Sequence, residues 1–363
     1  MSRNDLIRPL PGALAEARTA QDPNTLLLST REGFDAFVHR IVVAPDLQDC
    51  APMGTVPAPG DPRMSYHAEM LPVMTPGLRR GLLDARRMLR AGRSRTIGRP
   101  LTAVIDGDRG AGKSTLLALI GRGHQGMIEK MSGPDPDRIP VIYINVPANR
   151  DNTLHWSLPF AEFLGLDHTR PTGRGREDYR STDMTIAITH VMRHSSTRLV
   201  LIDGVERIRE TELRTAFDYF QALQDQTQAT FIYCGTGACD IVQDARNDSR
   251  RAALPLNAAG RRPGYDSELP VLWVNRIPYS PKDPAEWESV VSAFDDDLRL
   301  FKHTKGSLVT LSEYLHQRTG GYIDSLNHLI CQAAQEAIDN ATETITRDLL
   351  DDINIGRDNA PPQ

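Results

Sequence analysis

Short apolar runs alternate with segments of helical periodicity through the middle of the chain. Each run is almost continuously apolar, which is typical of strands buried on both faces. Such strands joined by helices predict a parallel sheet that is covered by helices on both sides. The predicted strands are residues 101–106, 141–146, 198–203, 230–234 and 271–274, and the helices between them include residues 185–194 and 211–224.

The two ends of the chain are patterned differently from this middle. From Pro284 onward only helical periodicity is present, which predicts a small helical C-terminal domain. Near the N-terminus, residues 46–75 look irregular, and Thr75-Pro76 predicts a helix start because threonine caps helices and proline suits the first turn. We predict four regions: an N-terminal extension that could dock a partner (1–70), an α/β domain (71–280), a helical lid domain (281–355) and a disordered tail (356–363).

Some predictions concern single segments and side chains. Residues 169–182 are rich in arginine, glycine and other polar residues, which predicts a loop. The three tryptophans are expected in the core. Further helices are predicted at residues 32–43, 76–92, 286–300, 307–317, 323–340 and 344–353.

Between the first strand and the helix after it, residues 107–114 read Gly-Asp-Arg-Gly-Ala-Gly-Lys-Ser. This matches G-x-x-x-x-G-K-[ST], in which backbone N–H groups surround phosphates at a helix N-terminus. We expect Lys113 to reach the β- and γ-phosphates and the Ser114 hydroxyl to bind Mg²⁺. The chain is therefore predicted to bind ATP with Mg²⁺, through Gly107, Asp108, Arg109, Gly110, Ala111, Gly112, Lys113, Ser114 and Thr115.

Polar residues follow two of the other strands. Asp203 ends an apolar strand about ninety residues after the loop, where a carboxylate can hold Mg²⁺. The next residue is Gly204, although a glutamate that orients the attacking water would be expected there. Either Glu206 supplies this base, or hydrolysis is slow and the nucleotide acts mainly as a conformational ligand. Thr236 follows the strand 230–234, where its hydroxyl could sense the γ-phosphate.

Arginine supplies nearly all of the positive charge, and it is concentrated in two stretches. Eight arginines lie between Pro76 and Pro100 against one acidic residue, Asp84. Such a stripe is equally consistent with contacts to nucleic acid and with a solvated helix. The candidates for DNA contact are Arg86, Arg90, Arg93 and Arg95, and the candidates for a finger that reaches a neighbouring subunit's γ-phosphate are Arg246, Arg250 and Arg251.

Composition restricts the class of protein further. The 363 residues are 40% apolar and 25% charged, with a net charge of −5, an ordinary globular balance. No apolar run approaches the ~20 residues that span a bilayer, and the N-terminus has no apolar signal segment. The four cysteines lack the spacing of a metal site, which favours reduced thiols and a cytoplasmic location.

In chain order, several of these pieces resemble the TniB/TnsC family of AAA+ transposition regulators, relatives of MuB and IstB. The matching stretches lie within about residues 70–350. They are the helix start at Thr75-Pro76, the phosphate loop Gly107–Thr115, Val141–Val146, Leu158–Gly165, Leu199–Asp203, Cys234-Gly-Thr-Gly-Ala238, Thr319-Gly-Gly-Tyr-Ile323 and Leu329–Ala341. The resemblance implies an AAA+ P-loop fold and an ATP-dependent DNA-binding protein. Such a protein would assemble with itself on double-stranded DNA as rings or filaments and recruit or activate a transposase.

The sequence departs from that family at Gly204 and at the lid helix. Asp324 and Ser325 stand where relatives carry a sensor-2 arginine, and Arg318 is close but precedes the glycines. The alternative is a signalling or defence switch ATPase that gates a protein partner without DNA. Gly204 favours that alternative because a switch tolerates slow hydrolysis, whereas the absence of a repeat or effector domain disfavours it.

Overall fold

The computed structural model describes residues 27–55, 60–70, 72–93, 101–147, 156–167, 169–172, 175–178, 181–253 and 269–356. The chain divides into two compact units. The first comprises Met1–Arg40, Gly81–Gly107 and Lys113–Trp273. The second comprises Ile41–Arg80, Asp108–Gly112 and Val274–Gln363.

A five-stranded parallel sheet forms the centre of the first unit. Its strands follow the order β2-β5-β6-β1-β7, and an antiparallel hairpin of β3 and β4 is separate from it. The four strands β1, β2, β5 and β6 are almost wholly buried, as continuous apolar runs predict. The strands are β1 (Thr102–Asp106), β2 (Val141–Asn145), β3 (Thr169–Thr172), β4 (Gly175–Asp178), β5 (Leu199–Asp203), β6 (Thr230–Cys234) and β7 (Val271–Trp273).

The predicted helices are also found, with shifts at their ends. Thr75 caps the helix that begins at Pro76, because its hydroxyl accepts a hydrogen bond from the Leu78 N–H at 3.1 Å. In the described part of the chain the α-helices are α1 (Arg31–His39), α2 (Pro62–Ala68), α3 (Pro76–Arg93), α4 (Lys113–Ser132), α5 (Leu158–Phe163), α6 (Ser181–His194), α7 (Glu210–Thr227), α8 (Ala238–Ala253), α9 (Ala285–Asp297), α10 (Ser312–Thr319), α11 (Ile323–Asp339) and α12 (Arg347–Asp352).

The second unit has a helical core of its own. Large apolar side chains from α9, α10, α11 and α12 meet there, and α2 packs against α11. Trp287, Leu315, Leu329 and Leu350 are fully buried in this cluster. None of the helices in the described ranges combines the length and apolar character that crossing a bilayer requires.

The structure corrects several details of the sequence prediction. The described parts of 169–182 include the β3–β4 hairpin and not only a loop. Within the stretch expected to be irregular, α2 forms because Asp61 caps it and its Arg63 is paired in the core. Trp273 is 57% exposed because it lies on the edge strand β7, whereas the other two tryptophans are buried as predicted.

Candidate nucleotide-binding site

Parallel strands bring their carboxyl ends to one edge of the sheet, and the predicted site residues meet at this edge. The register pairs Asn145 with Asp203 and Asp203 with Cys234, so β2, β5 and β6 end side by side. Ligands of open α/β sheets bind outside these ends. The geometry of this edge therefore decides what the first unit can bind.

Lys113 begins α4 and is buried, although it carries a charge. Its Nζ donates to the Gly107 carbonyl at 3.0 Å and to the Thr236 Oγ1 at 3.0 Å. The ammonium group is thus held between the start of the phosphate loop and the residue predicted to sense a γ-phosphate. A triphosphate can replace these neutral acceptors with anionic oxygens, which form stronger hydrogen bonds to a cation.

Asp203 is the centre of a second group of contacts. The Ser114 Oγ donates to its Oδ1 at 3.0 Å, and the buried Tyr143 hydroxyl donates to its Oδ2 at 2.9 Å. A hydroxyl and a carboxylate oxygen lie next to each other here, and they belong to the hard oxygen ligands that Mg²⁺ requires. Since Mg²⁺ at nucleotide sites keeps waters and phosphate oxygens as its other ligands, one carboxylate and one hydroxyl suffice. The residues present fit the metal.

Two buried groups beside Asp203 are held in their protonated forms. Burial, and then the negative charge of Asp203, raise the pKa of the Tyr143 hydroxyl well above its ordinary value. The same two causes raise the pKa of the Cys234 thiol, which also hydrogen-bonds to Asp203. Both groups therefore remain donors to the carboxylate at neutral pH and fix its orientation. The role of Tyr143 is not predictable from the sequence, because a tyrosine inside an apolar strand is indistinguishable from a core residue.

Asp106 is a further residue at this edge, and its role was not predicted from the sequence. It is buried at the end of β1, and its Oδ1 accepts from the N–H groups of Gly107 and Gly237 at 2.6 and 2.9 Å. Its Oδ2 accepts from the Cys239 N–H at 2.8 Å, at the N-terminus of α8. One carboxylate thus joins the phosphate loop to the loop that carries Thr236. An aspartate directly after an apolar strand was the available signal.

The turn after Asp203 explains why no glutamate follows it. Gly204 has φ = +82°, a left-handed conformation that favours glycine. The guanidinium of Arg207 fills the space that a side chain at residue 204 would need, and its Nη1 donates to the Val146 carbonyl at 3.2 Å. A cation therefore lies beside the ends of β2 and β5, where the expected base would begin.

Glu206 projects to the other side of this turn, toward β6. Its carboxylate occupies the space that a Cβ at Gly235 would take, so residue 235 must be glycine while Glu206 stays there. Gly235 directly precedes Thr236. Glu206 is exposed, and its carboxylate lies close to the loop that bears Thr236. This position is compatible with the predicted role as base.

The remaining residues of the phosphate loop, Asp108–Gly112, belong to the second unit. Within that unit the Asp108 Oδ2 accepts from the Arg276 N–H, and the Gly110 carbonyl accepts from the Asp324 N–H, both at 3.1 Å. Arg109 is exposed. Asp324, which stands where a sensor-2 arginine was expected, thus contacts the loop through its backbone.

Arg318 is not available to replace that arginine. It is 2% exposed inside the second unit, and its Nη2 donates to the carbonyls of Leu350 and Ile353 at 3.2 and 2.7 Å. These carbonyls lie at the end of α12, where helices leave acceptors without partners. Arg318 therefore has a structural role.

The arginine candidates are placed only in part. Arg86 and Arg90 are exposed on α3, and Arg246 is half-buried on α8, where its charge lowers the pKa of Tyr233 against the larger effect of burial. Arg93, Arg250 and Arg251 lie in helices, but their side chains are outside the described residues. Arg95 lies outside the described residues altogether.

Comparison with known proteins agrees with this fold. Residues 98–240 match the profile of a family described as AAA domain. The ORC2 protein of Aeropyrum pernix, solved in ADPNP–ADP complexes, is similar with a TM-score of 0.52 and 14% identity over 80% of this chain and 70% of that chain. At this level of identity the likeness is one of fold.

Two further solved structures resemble the chain more weakly. Domain III of the Thermotoga maritima replication initiation protein DnaA has a TM-score of 0.43 and 16% identity over 83% of this chain and 96% of that chain. Drosophila ORC bound to DNA has a TM-score of 0.45 and 10% identity over 85% of this chain and 69% of that chain. No curated protein matches the chain.

The fold class follows from the sheet order, the AAA-domain match and the likeness to the ORC2 structure. The chain is an α/β protein with a five-stranded parallel sheet flanked by helices, and it has the P-loop NTPase fold of the AAA+ type.

Proposed function

We propose that this chain is an ATP-dependent DNA-binding regulator of DNA transposition. It assembles with itself on double-stranded DNA, and its nucleotide state controls the recruitment or activation of a transposase. The observation that carries the proposal is the convergence of Lys113 with Thr236 and of Ser114 with Asp203 at one sheet edge. The motif order that resembles the TniB/TnsC family supports the choice of transposition.

In this proposal each site residue has one role. Lys113 binds the β- and γ-phosphates, while Ser114 and Asp203 hold the Mg²⁺ ion. When bound, Mg²⁺–ATP would supply a terminal phosphoanhydride bond, and its hydrolysis would convert the ATP state into the ADP state. Tyr143 and Asp106 position these groups, and Thr236 contacts the terminal phosphate. A Lys113→Ala variant is expected to lose at least a hundredfold in ATP affinity, measured with a fluorescent analogue.

Hydrolysis is slow in this proposal, and Glu206 is its base. Gly204 carries no side chain, and the group that fills the space beside it, the Arg207 guanidinium, is a cation that cannot accept a proton from water. A Glu206→Gln variant keeps the size of the side chain but removes its basicity. We expect its ATPase rate to fall at least tenfold. An unchanged rate would exclude Glu206 as the base.

In this proposal, arginine side chains contact the DNA phosphates and reach the neighbouring subunit. Arg86, Arg90, Arg93 and Arg95 lie on or directly after α3, and Arg246, Arg250 and Arg251 lie on α8 as candidate fingers. Because binding through arginine–phosphate pairs releases counterions, the DNA affinity should fall steeply with salt.

A titration of duplex DNA tests the proposed function. The protein is titrated without nucleotide, with ADP and with a non-hydrolysable ATP analogue, and particles are imaged at each point. We expect rings or filaments on DNA only with the ATP analogue, and affinity that falls with rising salt. DNA affinity that ignores both nucleotide and salt would overturn the proposal.

A second function is favoured by one observation, the Arg207 guanidinium in the place of the missing base. A switch ATPase that holds ATP for long periods and gates a protein partner would use such a site without DNA. Tight binding of ATP combined with no DNA response in the same titration would select this second function.

A further inference from the structure

A groove of about 970 Å³ crosses the first unit on a face formed by three helices, α1, α3 and α4. Helices α3 and α4 approach each other at Gly81, where a Cβ would lie 2.6 Å from the Leu116 Cδ2. On each helix, the residues that line the groove are C-terminal to this contact between Gly81 and Leu116. No residue of the nucleotide site described above lines this groove.

The floor of the groove is apolar and includes exposed methionines. The apolar side chains that line it include Leu82 and Leu89 of α3 and Leu119, Met127 and Met131 of α4. Met131 is 69% exposed and Met127 is 36% exposed. Clustered apolar exposure of this kind marks an interaction surface, and methionine adapts its shape to different apolar partners.

The rim of the groove is basic. Arg86 and Arg90 of α3 and Lys130 of α4 are exposed on it, and Arg122 is half-buried. Among the described residues that line the groove, Glu129 alone carries a carboxylate.

That carboxylate already has two partners within the unit. Its Oε2 is 3.2 Å from the His39 Nε2, and its Oε1 accepts from the Gln125 Nε2 at 3.1 Å. The positive charges of the rim are therefore not neutralised from inside the groove, and an incoming partner with negative charge would complement them.

The dimensions fit a short helix. The lining residues of α4 run from Leu119 to Met131, about 18 Å at 1.5 Å per residue. An amphipathic helix of about twelve residues has this length, and such helices place an apolar stripe in grooves of this kind. Acidic residues beside its apolar stripe would meet the basic rim.

We propose that this groove docks an acidic amphipathic helix from a partner protein. The proposal assigns Arg86 and Arg90 to that interface and leaves DNA contacts to the other arginines. A DNA backbone has phosphates to pair with arginine but no apolar stripe to cover the leucine and methionine floor. The groove shares no residue with the nucleotide site, so the proposal stands or fails separately from ATP binding, but it replaces DNA as the partner of Arg86 and Arg90.

A displayed library of sixteen-residue helices tests this surface on the full chain. Apolar residues are fixed at positions i, i+3, i+4 and i+7, and all other positions are randomised. We expect selected helices to be enriched in Asp and Glu at least threefold over the unselected library. Selection of no binders, or of binders without acidic enrichment, would overturn the proposal.

Variants then locate the binding of one synthesised clone, measured by fluorescence anisotropy. Met131→Glu should weaken it at least tenfold, because it places a negative charge on an exposed part of the apolar floor. Leu83→Glu is the matched control, since Leu83 is 53% exposed on α3 but does not line the groove, and it should change the affinity less than twofold. Equal effects of the two variants would contradict docking in the groove.

Charge exchange and DNA competition complete the test. An Arg86→Glu/Arg90→Glu variant should lose the acidic clone and bind a version in which lysine replaces each acidic residue. Duplex DNA should not compete with the acidic clone, and Met131→Glu should leave DNA affinity unchanged. Competition by DNA together with a matching loss of DNA affinity in Met131→Glu would assign the groove to DNA and overturn the proposal.

Discussion

Both compact units bury charged side chains, but they use them differently. In the first unit Lys113 and Asp203 are buried at the open ends of strands, and they bond mainly to hydroxyl and carbonyl groups. In the second unit Arg63 is fully enclosed between the carboxylates of Asp61 and Glu343, at 2.9 Å from each. The first arrangement includes hydroxyl and carbonyl partners that a charged ligand can replace, whereas the second joins opposite charges directly within the fold.

This difference separates the buried charges that serve ligand binding from those that serve stability. A buried charge that is paired only with neutral groups costs stability unless a ligand of opposite charge binds. A buried charge with two counter-charges is part of the packing. Removing one partner leaves the other charges buried without full compensation, which lowers stability. Changing the buried charges at the strand ends should therefore alter ligand binding, and changing the buried charges of the second unit should alter the free energy of unfolding.

The largest expected effect is that of Arg63→Met. Both carboxylates would remain buried without their cation, which should lower the free energy of unfolding by about 3–5 kcal/mol. Burial alone would raise the pKa of Asp61, but its hydrogen bonds with Arg63 hold that pKa below its ordinary value. Urea denaturation measures the loss.

Arg87→Met is the control for this variant. Arg87 forms an exposed ion pair with Asp84 at 3.0 Å, and such pairs contribute at most about 1 kcal/mol. A loss of similar size in both variants would contradict the comparison between the units.

A second effect in the helical unit depends on pH. His67 is fully buried, and burial lowers its pKa to about 4, while its Nε2 accepts from the Arg299 N–H. The unfolded chain binds the proton near pH 6.5 but the folded chain does not, so stability is full above pH 6.5. It is lost as the pH falls toward 4, by up to about 3 kcal/mol.

Denaturation of wild type and His67→Gln between pH 7.5 and 4.5 measures this dependence. The variant should have a flatter stability profile, and His328→Gln, which changes an exposed histidine, should keep the wild-type slope. Parallel profiles for wild type and His67→Gln would refute the prediction.

A smaller effect is expected at the strand ends from Tyr143→Phe. Loss of one donor to Asp203 should weaken Mg²⁺-dependent ATP binding about tenfold, the lower end of the range for groups that orient metal ligands. A Mg²⁺ titration at fixed ATP measures it. Tyr233→Phe removes a buried hydroxyl from β6, on the other side of β5, and should leave the Mg²⁺ dependence unchanged. Equal responses would mean that Tyr143 acts only through packing.

Much of the fold could be predicted because the strands are continuous apolar runs. The residues expected near the nucleotide could be named as well, because Lys113, Ser114, Asp203 and Thr236 stand at the end of an apolar run or shortly after one. Their meeting is a consequence of parallel topology, which brings all carboxyl ends to one edge.

Other features depend on contacts between residues far apart in sequence. Arg63 and Glu343 are separated by 280 positions, so no local pattern predicts that α2 has a buried arginine. Arg207 takes the space at Gly204 only because the turn has a left-handed residue, and Trp273 is exposed only because β7 is an edge. The predicted domain boundaries and the arginine roles remain predictions.

The most direct test compares two isosteric variants, Asp203→Asn in the first unit and Glu343→Gln in the second. Thermal unfolding of each is followed with and without ATP and Mg²⁺, which should raise the midpoint of the wild type because the ligand binds only the folded state. We expect Asp203→Asn to keep the wild-type midpoint without ligand but to lose most of the increase caused by ATP and Mg²⁺. Glu343→Gln should have a lower midpoint without ligand and keep the increase. A low midpoint for Asp203→Asn combined with an undiminished increase would contradict the assignment of Asp203 to ligand binding.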